Sequence, residues 1–186
     1  QGETVFVGYE ELANQSTVLG VIHNGHSVTT AHAGQTVEVI VAETALYPES
    51  GGQVADRGRL EAAGLVATVA DVQRPVPGLI SHTVSVDSGE LHVGQTVAVV
   101  VDEANRVQAR KAHSATHLIH AALRDTLGPH ATQAGSLNRA GYLRLDFSWS
   151  KGLADEQKLE IESIANRAID EDLEVTTRVL PLDEAK

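Results

Sequence analysis

His113, His117 and His120 are the residues of this 186-residue chain whose type and spacing come closest to prescribing a chemistry. At about 100° per residue in a helix, the three fall within a wedge of roughly 60°, with Ala115, Leu118, Ile119 and Ala122 on the opposite side. A pair at i, i+4 can bring two imidazoles to one metal ion, although histidines at this spacing also arise by chance on solvated helix faces. The pattern departs from the His-Glu-x-x-His of zinc proteases. Position 114 is serine, so no glutamate is placed to polarise a metal-bound water. A zinc site takes about three or four protein ligands. The chain has no cysteine and no second spaced histidine pair after Gln133, so these residues alone make half a site.

The second informative stretch runs from Glu43 to Gly58 and contains Tyr47-Pro48-Glu49-Ser50-Gly51-Gly52-Gln53 and Asp56. Paired glycines after a proline mark an ordinary hairpin turn. They also let backbone approach a ligand closely while neighbouring amides bind it. The stretch does not match the phosphate-binding Gly-x-x-x-x-Gly-Lys pattern. A third segment, Gln133-Ala134-Gly135-Ser136, prescribes nothing by itself.

These groups must be positioned by elements that the sequence makes visible. The first hundred residues are rich in valine and threonine, interrupted by glycine and histidine, which predicts strands. His32-Ala33-Gly34-Gln35-Thr36-Val37 recurs as His92-Val93-Gly94-Gln95-Thr96-Val97, each leading into a β-branched run. The repeat predicts two equivalent strands of one antiparallel barrel or sandwich. His32 and His92 read better as turn residues than as a metal pair. Arg74-Pro75-Val76-Pro77-Gly78 predicts a loop, because two prolines resist helix and central strand alike.

From Asp102 the pattern changes. Glu103 to Leu127 contains no glycine or proline, begins with acid and stops at Gly128-Pro129, which predicts a helix. Tyr142 to Phe147 alternates, with Leu143, Leu145 and Phe147 on one face, and predicts a half-buried strand. Ile161, Ile164, Ala165, Ala168 and Leu173 predict a second helix over about 154–173, and Glu174 to Leu180 a further strand. The fold class is therefore α+β: a β-rich unit over 1–102, carrying the glycine loop, and an α/β unit over 103–186.

Composition bounds the rest. With 14 Lys+Arg against 25 Asp+Glu the net charge is −11, a poor footprint for a free-standing nucleic-acid binder. With 42% hydrophobic but 3% aromatic residues, the core must be mainly Val, Leu, Ile and Ala. No apolar run approaches the roughly 20 residues of a membrane span, and no secretory leader is visible, so a soluble chain is expected. The first residue is Gln1 and methionine is absent, which suggests a fragment or a processed chain.

Taken together, the glycine loop from Tyr47 to Gly58, His113-Ser114-Ala115-Thr116-His117-Leu118, Gln133-Ala134-Gly135-Ser136 and Leu143-Arg144-Leu145-Asp146-Phe147 resemble, in order and over nearly the whole chain, the editing domain of alanyl-tRNA synthetases. Free-standing alanyl-tRNA editing proteins share the loop and the helix less closely. The resemblance implies an N-terminal antiparallel β-barrel, similar to the second domain of translation elongation factors, followed by an α/β editing core also seen in threonyl-tRNA synthetase.

The activity implied is hydrolysis of the ester joining serine or glycine to the tRNA for alanine, in the cytoplasm. A small pocket rejects a near-isostere with an extra hydroxyl by only about a hundredfold, so a second site must remove the errors. By position, the resemblance makes His113 and His117 two zinc ligands, the others coming from a Cys-x-x-x-His motif that this chain lacks. It places Thr116 beside the substrate pocket, makes Gln133 important for editing with Ser136 nearby, and sets Gly51, Gly52 and Gln53 near the terminal adenosine. ATP and Mg2+ would serve only the aminoacylation domain of a parent enzyme.

The expected partner is the aminoacylated 3′ end of that tRNA. Such a domain need touch only this tip, so weak tRNA affinity in isolation and a monomeric state are expected. Three rivals remain: a module that holds the aminoacylated end without cleaving it, an unrelated metal hydrolase, and a free-standing editing protein.

Overall fold

The computed structural model describes residues 3–176 and 178–184. The strands are β1 (Val5–Phe6), β2 (Ala13–His23), β3 (His26–Val28), β4 (Thr30–His32), β5 (Thr36–Val41), β6 (Glu43–Thr44), β7 (Gly58–Ala62), β8 (Leu65–Val76), β9 (Leu79–Ser88), β10 (Glu90–His92) and β11 (Thr96–Val101). Helix α1 (Glu103–Leu127), strands β12 (Gln133–Arg139) and β13 (Tyr142–Phe147), and helix α2 (Asp155–Asp170) follow. The chain forms two compact units, Gln1–Thr116 with Gly135–Asp146, and His117–Ala134 with Phe147–Lys186. The division expected at residue 102 coincides with the change from strand to helix there. Compactness instead assigns the start of α1 and most of the β12–β13 hairpin to the first unit.

The first unit is built on a closed antiparallel barrel. Strands pair in the order β11-β7-β8-β9-β5-β2, and β11 pairs again with β2 to close the ring. Closure removes the open edges on which strands of this composition would otherwise aggregate. The interior is aliphatic, as the scarcity of aromatics requires. Alternate residues of each strand turn inward, among them Val37, Val39 and Val41 of β5 and Val97, Val99 and Val101 of β11, each buried.

The repeated segments are β4 with β5 and β10 with β11. β5 and β11 flank β2, and β4 pairs with β10. Each turn is built alike: Gln35 Oε1 accepts from His32 N–H at 2.8 Å, Gln95 Oε1 from His92 N–H at 3.0 Å, and Gly34 and Gly94 take φ of 86° and 87°. His32 Nδ1 and His92 Nε2 lie 3.1 and 3.3 Å from the two oxygens of Glu90 on the surface. No group of three or more metal-capable side chains occurs among the described residues.

Arg74–Gly78 departs from its expected loop. β8 continues through Pro75 to Val76, and only Pro77 and Gly78 turn. β7 pairs with β8 only as far as Val69. Beyond that point Glu49 N–H donates to Val72 O at 3.0 Å, but no strand pairs with that edge at Pro75, so its missing N–H breaks no ladder there. The strand expected over Glu174–Leu180 is absent among the described residues, Thr177 lying outside them. Val175 and Val179 are 90% and 97% exposed, so the alternation has no face to bury. α2 keeps the expected position, three residues shorter at its end, with Ile161 and Ala165 buried.

His82 of β9 is a fully buried histidine. His82 donates from Nδ1 to Val39 O at 3.0 Å, and its Nε2 accepts from Thr44 Oγ1 at 2.9 Å. Burial lowers its pKa from 6.5 to about 4, the Val39 bond opposing the shift. The folded state therefore holds the neutral ring. Its contribution to stability is complete above the unfolded value of 6.5 and is lost as pH falls towards about 4. Lowering the pH from 7 to 5 should cost about 2 kcal/mol from this group. The comparison is urea unfolding of wild type and His82→Gln at both pH values. An equal loss in both proteins would contradict the assignment.

Candidate functional site

The glycine loop folds as a tight turn that is then sewn to β12. Ser50 and Gln53 exchange backbone hydrogen bonds of 3.2 and 3.0 Å across Gly51 and Gly52, whose φ values are 60° and 79°. Two consecutive positive φ values are the geometry of a primed hairpin turn, where glycine is least strained. Asn138 N–H then donates to Gly52 O at 2.7 Å, and Val54 N–H to Asn138 O at 3.0 Å. The two glycines differ in what surrounds them. A Cβ at Gly52 would sit 2.1 Å from Ser136 Oγ and 2.9 Å from Ser136 O, whereas one at Gly51 would meet only His113 Cε1 at 3.8 Å. Gly51→Ala should cost roughly 1–2 kcal/mol from left-handed backbone alone. Gly52→Ala should cost clearly more and spoil the loop. Thermal unfolding of the pair tests this order; equal costs would contradict it.

α1 opens on Asp102, whose Oδ1 accepts from Asn105 N–H at 3.0 Å as an N-cap. Arg106 then enters the protein with Asp56. The pair is 5% and 2% exposed. Arg106 Nε donates to Asp56 Oδ1 and Oδ2 at 2.9 and 2.8 Å, and Nη2 to Oδ2 at closer range. Nη1 donates to Gly8 O at 2.8 Å and Nη2 to Ala45 O at 2.7 Å. Asp56 Oδ2 also accepts from Tyr47 N–H at 2.7 Å. One ion pair thus ties α1, the first segment and both roots of the glycine loop.

Seven residues on, two helical turns along the same face, His113 reaches the loop's tip. Its Nδ1 lies 3.0 Å from Gln53 Oε1. With Nδ1–H as donor, the ring's lone pair lies on Nε2, the atom a metal would take. The histidine face is therefore not turned away from the core in this half of α1. Ala109, Ala112 and Thr116 are buried beside half-buried His113, and Leu118 and Ile119 are only half-buried. Small residues on this face admit the loop, which the aliphatic stripe alone did not reveal.

Thr116, 2% exposed, places Oγ1 3.0 Å from Ala112 O and 2.5 Å from Asn138 Oδ1. One hydroxyl proton cannot serve both acceptors. Turning the Asn138 amide over lets Nδ2 donate to Thr116 Oγ1 and the hydroxyl donate to Ala112 O. It also gives a donor's partner to a buried Nδ2 that otherwise has none. In that arrangement Thr116 offers a lone pair, and no proton, to a further polar group.

Gly51, Gly52, Gln53, His113, Thr116 and Ser136 thus gather within the first unit. His117 and Gln133 belong to the second. His117 is exposed one turn beyond His113 on α1, and Gln133 is exposed at the start of β12. His120 Nε2 lies 3.3 Å from Ala131 O, past the helix stop where Gly128 takes φ of 97°. Sequence reasoning missed Asn138 and Arg106. Asn138 carries no motif or spacing of its own, and no spacing pairs Arg106 with an aspartate fifty positions away.

Comparison with known proteins agrees with the resemblance. The family model for class II (A) tRNA synthetases matches residues 1–105. Alanine–tRNA ligase of Leifsonia xyli subsp. xyli is 57% identical over 185 residues, that of Clavibacter sepedonicus 56% and that of Cutibacterium acnes 55%. Each alignment covers 100% of this chain and 21% of the relative. The chain thus spans about a fifth of the length of the curated relatives it matches.

Proposed function

Because the chain belongs to the class II (A) tRNA synthetase family, we propose that it is the editing domain of an alanine–tRNA ligase, hydrolysing serine or glycine from the tRNA for alanine. The observation that carries this reading is the joining of loop to helix: Gln53 meets His113 at 3.0 Å while Thr116 is held by Asn138 one turn further on. This makes a polar cluster beside a backbone turn stripped of side chains. Gly51, where a Cβ would meet only His113 Cε1 at 3.8 Å, leaves room for the terminal adenosine of a tRNA, Gly52 lets the loop close onto Ser136, and the Thr116 lone pair accepts from a serine hydroxyl. Alanine offers no such donor, so serine is held where alanine is not.

The step is attack of water on the ester carbonyl. The bond from the carbonyl carbon to the ribose oxygen breaks, releasing the amino acid and a tRNA hydroxyl. No side chain of the cluster is an evident general base, and the substrate's own hydroxyls can take part.

Zinc fits this chain only in part. His113 and His117 would supply two donors, the first oriented by Gln53. No third joins them among the described residues. That donor count is also what a binding module for the aminoacylated end would show. Metal analysis together with hydrolysis of Ser-tRNA and Ala-tRNA by this chain separates the two. Serine release with alanine spared supports editing, and tight binding of both without cleavage supports the module. The domain is proposed to act as a monomer in the cytoplasm. No helix of the described residues is long and apolar enough to cross a membrane.

A further inference from the structure

Across the seam where the glycine loop meets β12, successive side chains turn to opposite sides. Gln53 and Asn138 face α1, where they meet His113 and Thr116. Their neighbours Val54 and Arg139 line a cavity of about 680 Å3 together with Glu49, Arg57, Asp71 and Tyr142. A second cavity of about 560 Å3, holding Arg59 and Asp102, shares Arg57 and Ala70 with the first. The two form a trench with Arg57 at their junction.

Its charges are not equivalent. Arg59 is neutralised by Glu61 at 2.8 Å, and Asp102 is committed to capping α1. Arg57 is exposed and carries no ion pair among the described residues. The Arg139 guanidinium stacks 4.7 Å above the Tyr142 ring, which remains 43% exposed. Glu49 and Asp71 are brought together by Gln73 Nε2, at 3.2 Å and 3.1 Å. The trench therefore presents one cation engaged by neither a carboxylate nor a ring among the described residues, one cation-backed aromatic ring and a pair of carboxylate acceptors. A phosphate, a base and a hydroxyl-bearing ribose answer these three in turn.

We propose that this trench binds a single-stranded stretch of RNA, with a phosphate on Arg57, a base stacked on Tyr142 and ribose hydroxyls donating to Glu49 or Asp71. The inference rests on the editing reading, which supplies the RNA, and adds a contact on the other side of the seam from the ester. Stacking on an aromatic side chain requires an unpaired base. Elsewhere the chain's net charge of −11 repels a phosphate backbone, so the contact is local and its salt dependence shallow. One neutralised phosphate gives a slope of about −0.7 in log K against log salt.

The test is an NMR titration of the 15N-labelled chain with a single-stranded pentaribonucleotide, its deoxy counterpart and a blunt RNA duplex. Shifts are expected on residues 54–57 and 139–142, with the deoxy strand weaker and the duplex inactive. Arg57→Glu and Tyr142→Leu should each weaken binding roughly tenfold, and Tyr142→Phe less than about twofold. Both positions are exposed, so overlaying spectra of the free proteins establishes that the variants fold. Variants that bind as wild type does, shifts centred elsewhere, or no binding at millimolar RNA would each overturn the proposal. The probe carries no aminoacyl ester, so failure of this contact is read independently of any failure to hydrolyse Ser-tRNA.

Discussion

Arg106→Met is expected to destabilise the chain by about 3–5 kcal/mol, the cost of leaving a buried carboxylate without its partner. Asp56 is 2% exposed, and its remaining donor in the structure is Tyr47 N–H. Gly8 O and Ala45 O lose their guanidinium donors in the same step. Against a typical stability of about 5–15 kcal/mol, such a loss leaves a protein that unfolds at low urea. The double variant Asp56→Leu/Arg106→Met removes both charges and should recover a large part of the loss, because a buried pair adds little over well-packed apolar groups. Urea unfolding of the two single variants and the double variant measures the coupling. Single losses below about 1 kcal/mol, or simple additivity, would show that the pair does not anchor the loop.

The second large effect concerns selectivity. Thr116→Val keeps the volume of the side chain and removes its oxygen. In a parent ligase carrying the substitution, clearance of serine from tRNA should fall by about 10- to 100-fold, the equivalent of one charge-neutral hydrogen bond plus a stranded buried amide at Asn138. Clearance of glycine, which has no side-chain hydroxyl, should change much less. Thr116→Ser should restore serine clearance, since the hydroxyl and its bond to Asn138 survive. Equal losses for serine and glycine would mean that Thr116 shapes the site without reading the substrate.

Local signals were legible where the chain's own chemistry settles the outcome. α1 runs from Glu103 to Leu127 and β13 from Tyr142 to Phe147, the limits their sequences predict, because a capped start, a Gly-Pro stop and a period-two pattern need no distant partner. The turn at Gly51-Gly52 was legible for the same reason. What it meets was not, since Ser136 and Asn138 lie more than eighty positions away. The Asp56–Arg106 pair was invisible in the same way: an isolated arginine near a helix start reads as a solvated charge until the barrel closes over it. Pro75 misled because proline forbids only a central strand, and β8 has an open edge there. Glu174–Leu180 has the residue pattern of a strand, but its valines are exposed, and a strand requires a neighbour as well as a propensity.

In the proposed function, the loop, His113 and Thr116 together edit mischarged tRNA. Its most direct test is the rate of serine release from Ser-tRNA(Ala) by the parent ligase, with and without His113→Ala. On this account the wild-type enzyme clears serine far faster than the uncatalysed reaction, and His113→Ala slows it severely while aminoacylation with alanine continues. Serine released no faster with the wild-type enzyme than without it, or at an unchanged rate by His113→Ala, would contradict the account.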